Sequence, residues 1–134
     1  MLQIYLYALL VVPKELLKAK TVIKNNFNNF FSGYIKSIED KNEKKYEINS
    51  NYENESSNNM DFYRHIRNAV AHSRCVYRVD NGICLVKFTD QDNGNKHSCS
   101  IEVPTYVINQ VIGLLQQTLM KILNENVCKK VKEE

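Results

Sequence analysis

The sequence predicts a mainly α-helical fold: an up-and-down bundle with a small antiparallel β-hairpin or meander inserted before the last helix. Three observations predict it. Apolar residues recur at spacings of three and four after Lys14 and again from Ile108 to Leu123, the period of a helix with one buried stripe. Between these stretches, CVYRV, ICLVKF and HSCSIEV are separated by Asp80-Asn81-Gly82 and by DQDNGN, breaks that suit tight turns between antiparallel strands. The chain has 134 residues, 43% hydrophobic and 25% charged, which fits one globular domain over 1–134 with its own core.

The elements follow in order. Leu2 to Val12 is nearly all apolar and reads as a helix covered on several sides. It is too short for the roughly twenty residues of a membrane span, and it lacks a basic start and a small-residue cleavage site, so neither a membrane anchor nor a signal peptide is expected. Pro13 interrupts it. The next stripe, Leu16, Val22 or Ile23, Phe27, Phe30, Phe31, Tyr34, Ile35 and Ile38, predicts a long amphipathic helix. From about 40 to 59 the period is lost in polar, asparagine-rich sequence, which reads as a mobile loop. Ser57, Asn58 and Asn59 offer N-caps for a helix from about Met60 to Ala71, with Asp61 in its first turn. After the strands, Pro104 opens the last helix, whose stripe is Ile108, Val111, Ile112, Leu115, Leu119, Ile122 and Leu123. Residues 127–134 read as a frayed tail.

The net charge of +3 is mild but uneven: Glu39 to Glu55 carries −3, leaving +6 on the rest. That balance permits a polyanionic partner. Cys75, Cys84, Cys99 and Cys128 form no C-x-x-C, and they read as reduced packing thiols of a cytoplasmic protein. His97 and Cys99 have the period-two spacing of a strand and lack a full metal-ligand set, so no metal or cofactor is expected.

Arginine is unevenly placed as well. All four, Arg64, Arg67, Arg74 and Arg78, fall within one short window, while lysines are scattered from Lys14 to Lys132. Arginine is a planar fork that grips phosphate or carboxylate with two parallel bonds. On an ideal helix Phe62, Ile66, Ala69 and Val70 form the core side, with Tyr63 at its edge; Arg67, Ala71, Arg64, Asn68, His72 and His65 form the opposite arc. Arg67 and His72 lie about 140° apart and cannot meet within one ideal helix. Ala71, in the middle of the arc, leaves a flat spot where another backbone can approach. A twofold axis across that spot would bring two such sets into one cleft.

Arg67-Asn68-Ala69-Val70-Ala71-His72 resembles the signature of the HEPN superfamily (higher eukaryotes and prokaryotes nucleotide-binding domains): an arginine, a polar residue, and a histidine four to six residues after the arginine. FYRHIRNAVAHSR followed by a short strand is similar to plasmid- and defence-associated HEPN proteins in particular, over roughly Asp61 to Tyr77. HEPN toxins paired with nucleotidyltransferase antitoxins carry a tyrosine two residues after the histidine; here that position is Arg74, and the nearest tyrosine is Tyr77. The resemblance implies a HEPN-like helical bundle acting as a homodimeric, metal-independent endoribonuclease, with dimerisation through the Arg67–His72 helix and the N-terminal helix. It implies RNA as substrate, a toxin or antiviral-defence role, and an antitoxin or defence-system partner.

The residues suit that chemistry. RNA supplies its own nucleophile, the 2′-hydroxyl, and His72 would move protons to and from it. Arg67 would stabilise charge on the phosphate. Asn68 would hold His72 in one orientation or bond a phosphate oxygen. The products would be a 2′,3′-cyclic phosphate and a 5′-hydroxyl. Arg64, His65 and Arg74 would guide the RNA backbone, contacts that carry little sequence information. The rival reading is a non-catalytic HEPN-like dimer that binds nucleotide or protein and keeps Arg67 as a phosphate clamp.

Overall fold

The computed structural model describes residues 17–40, 47–56, 59–94 and 96–133, with side chains described from 21 to 125 within these ranges. Three helices and four strands are formed among them: α1 (Leu17–Asp40), β1 (Glu47–Ser50), α2 (Phe62–Ala71), β2 (Cys75–Asp80), β3 (Ile83–Gln91), β4 (Ser98–Pro104) and α3 (Thr105–Glu133). The expected helix over Leu2–Val12, with its place in a dimer, and the capping roles of Ser57 and Asn58 lie outside the described residues.

The fold class is the main correction. The strands are not a small insert in a helical bundle. They form one antiparallel sheet in the order β1-β4-β3-β2, and its inner face is one wall of the core. One cross-strand row shows why: Ile48, Ile101, Phe88 and Cys75 pair across all four strands on the helix-facing side. Ile48, Ile101 and Phe88 are buried there with Val86, Cys99 and Val103, beneath Phe27, Phe31, Ile35, Phe62, Ile66, Val107 and Val111 of the helices. The architecture is helices packed on one face of an antiparallel sheet, the α+β arrangement.

β1 was hidden in the segment read as a loop. Glu-Ile-Asn-Ser offers one apolar side chain, too little for a periodic signal, but Ile48 falls opposite Ile101 and the existing edge of β4 supplies the partner groups. The β2–β3 turn behaves as its residues predict. Asp80 pairs with Ile83, and Asn81 and Gly82 between them have φ of 49° and 78°, the left-handed values of a type I′ hairpin turn. β2 is the outer strand on that side, with Val76 and Val79 exposed.

The helices follow their stripes with small changes. In α1 Ile23 is buried and Val22 is exposed, and Phe27, Phe31, Ile35 and Ile38 continue the buried side. In α3 Val107, Ile108, Val111, Ile112 and Leu115 are buried, after which the helix runs on to Glu133 with its backbone helical over residues read as a frayed tail. Pro104 closes β4, opposite Leu85, and the helix begins one residue later. Among the described residues no helix is long and apolar enough to cross a membrane.

Candidate active site on the second helix

The Arg–Asn–His signature lies on α2, a ten-residue helix whose ends are both fixed by local hydrogen bonds. Asp61 is the N-cap and not a first-turn residue: its side chain accepts from the Arg64 amide at 3.2 Å. Lys24 Nζ lies 3.0 Å from the other Asp61 oxygen, and Asn28 donates to Asp61 while accepting from the Tyr63 amide at 2.9 Å. The N-terminus of α2 is thereby tied to α1. Burial pushes the Asp61 carboxyl up, but Lys24, Asn28 and the Arg64 amide outweigh it, leaving the group below its ordinary value.

At the other end the helix stops without glycine. His72 is the C-cap; Ser73 takes a left-handed φ of 55°, and the amides of Ser73 and Arg74 bond to the carbonyls of Val70 and Ala69. This nested pair is a Schellman motif. It turns the chain from helix to β2 within two residues and leaves His72 exposed on the last turn.

Arg67 is half-buried, with its guanidinium carbon 5.8 Å from the centre of the Tyr63 ring, within cation–π range. Ala71 is exposed between Arg67 and His72, as the helical projection requires. No hydrogen bond or ion pair joins Arg67 to His72. Arg64 is exposed with its guanidinium 6.0 Å from the Tyr52 ring centre, and Arg74 is exposed at the start of β2. Arg78 faces the sheet's open side, where it donates with two nitrogens to Glu102 and lies 3.8 Å from Asp80.

His65 is placed differently from the expectation of an RNA-guiding contact. It is 1% exposed, and both ring nitrogens are engaged: Nδ1 lies 2.8 Å from Asp90 Oδ2, and Nε2 lies 2.8 Å from Glu55 Oε1. Both are hydrogen bonds at once only if the ring carries two protons or a carboxyl carries one. At the edge of the polar arc, next to Ala69, its side chain turns inward to these two acids. Asn68 joins the cluster, its Nδ2 donating to the same Asp90 oxygen at 3.3 Å. Glu55 also accepts from the Asp61 amide at 3.0 Å and from Ser50 Oγ at 2.9 Å. Burial pushes the Glu55 carboxyl up, yet these donors and the imidazole hold it below its ordinary value.

Tyr52 closes the cluster, its ring 4.8 Å from that of His65 and 5.3 Å from that of His97. His97 pairs with Asp92 at 2.8 Å and sits just before β4. Cys99 is buried against Met60, and burial pushes its thiol up to about 12, so it stays a protonated packing group.

Sequence reasoning missed Glu55, Asp90 and Tyr52. A signal for Asp90 was present: it continues the inward-facing series Val86, Phe88, Asp90 of β3, and a carboxylate in such a slot requires a buried partner. No comparable pattern marks Glu55 or Tyr52, which lie where the chain leaves β1.

Comparison with curated proteins and with solved structures finds no match. A family model described as HEPN pEK499 p136 matches residues 1–130, nearly the whole chain and all of the site described above. The chain therefore belongs to this HEPN family.

Proposed function

We propose that this chain is a metal-independent endoribonuclease of HEPN type that works as a homodimer and acts as a toxin or antiviral-defence effector. HEPN-type domains are often ribonucleases or nucleotide-binding modules. The observation that carries the reading is the outer arc of α2: a half-buried Arg67 braced on Tyr63, Asn68 held by Asp90, and an exposed His72, set around the flat spot of Ala71. Since Arg67 and His72 do not meet in one chain, the reading requires two copies, each completing the other's set across a twofold axis.

In such a cleft His72 takes the proton from the 2′-hydroxyl, and the His72 of the second copy protonates the departing 5′-oxygen. Arg67 faces the phosphate oxygens as charge builds on them, a role suited to a fork that stays protonated. Arg64 and Arg74, both exposed near the motif, supply phosphate contacts along the strand.

The test is growth on expression. Wild type should arrest growth and leave cellular RNA fragments with cyclic phosphate and 5′-hydroxyl ends, and His72→Ala should do neither. Binding of RNA fragments without turnover would instead favour a nucleotide- or protein-binding module.

A further inference from the structure

Asp90 is a buried group that the proposed chemistry leaves unused, yet it touches the signature directly. It lies on the helix-facing side of β3 in the row with Cys99 and Ser50. One oxygen, Oδ2, lies 2.8 Å from His65 Nδ1 and accepts from Asn68 Nδ2 at 3.3 Å. Glu55 holds the other ring nitrogen, so the imidazole is braced against Asp90 from behind. The sheet, not the helix, therefore sets how the Asn68 amide is turned.

The direction of that turn follows from hydrogen-bond chemistry. The Asn68 amide nitrogen is the end that donates to Asp90. The carbonyl Oδ1 is then the end left to accept from another donor. His72 lies four residues after Asn68, and residues four apart are neighbours on a helix surface. We infer that Asp90 is a positioning residue: by holding the Asn68 amide nitrogen it aims Oδ1 at the His72 imidazole and thereby selects the ring nitrogen that carries the proton. Histidines that serve as base in one copy and as acid in the other need that choice fixed, because only one nitrogen of each faces the substrate.

The inference deepens the ribonuclease reading, and one arm of its test does not depend on cleavage. Ring-nitrogen NMR shifts of His72, which report the protonated nitrogen, are compared in the full chain for wild type, Asp90→Asn, Asn68→Ala and the double variant. Wild type should hold one tautomer. Each single variant should move His72 toward the mixture of a free imidazole, and the double should move it no further. In parallel, kcat for RNA cleavage should fall about 10-fold in each single variant with little change in KM, the double again adding nothing. If Asp90→Asn does not fold, Asp90→Glu keeps the charge, displaces the oxygens and is read the same way. A lower Tm with unchanged His72 shifts would overturn the inference and leave Asp90 a structural group. Responsive His72 shifts in a wild type that cuts no RNA would uphold the positioning link and sink the ribonuclease reading alone.

Discussion

Asp90 Oδ2 and His65 Nδ1 lie 2.8 Å apart in the interior, so a strand and a helix are joined by a buried ionisable pair. Glu55 on the far side of the ring leaves the imidazole between two acids. His65→Leu should therefore cost more than the packing it alters, because Glu55 and Asp90 are left facing each other. A loss of about 3 kcal/mol is expected in urea unfolding. A stability near that of wild type would show that the pair is dispensable.

Acid should weaken the fold through the same cluster. Glu55 and Asp61 both titrate below their ordinary values in the folded chain, so as pH falls the unfolded chain binds protons first. Their stabilisation is complete above the ordinary carboxylate value, about 4, and is lost as pH drops through the lower folded values. Thermal melts should show a Tm that falls on acidification below about pH 4. Glu55→Gln should lower the neutral-pH Tm and make that acid decline shallower.

Ser73 carries the left-handed turn that ends α2, a conformation that costs a side-chain-bearing residue about 1 kcal/mol. Ser73→Gly should leave the turn intact and raise stability by about 0.5 kcal/mol, since glycine's extra backbone entropy offsets part of the gain. A drop in Tm would mean that the serine side chain contributes a bond of its own.

The core should answer to the face shared by α1 and α2. Phe31 is fully buried and stacks on Phe62 with ring centres 5.2 Å apart. Phe31→Ala should cost about 3–5 kcal/mol in chemical denaturation. A cost below about 1 kcal/mol would mean that the cavity collapses or that the packing differs.

Much of this structure can be read in the sequence where one signal dominates. The stripe of Phe27, Phe31 and Ile35 marks α1, Asn81-Gly82 marks its hairpin, and the Arg67–His72 spacing marks the arc on α2. The sheet's true weight was hidden because β1 offers only Ile48 and is recruited by the edge of β4, a tertiary effect with no local signature. His65 was misplaced for a related reason. A helical projection puts it at the edge of the polar arc, but whether an edge residue turns in or out depends on partners, and Glu55 and Asp90 lie ten residues before it and twenty-five after. Arg67, by contrast, stands half-buried on the helix and His72 exposed at its C-cap, close to where the projection puts them.

Cleavage of an end-labelled RNA by purified protein in excess chelator tests the central claim most directly. Wild type should produce fragments ending in 2′,3′-cyclic phosphate and 5′-hydroxyl, while Arg67→Ala and His72→Ala, with unchanged oligomeric state, should each lose at least about 100-fold in rate. Intact RNA with wild type, with or without chelator, or cutting by His72→Ala at the wild-type rate, would contradict it.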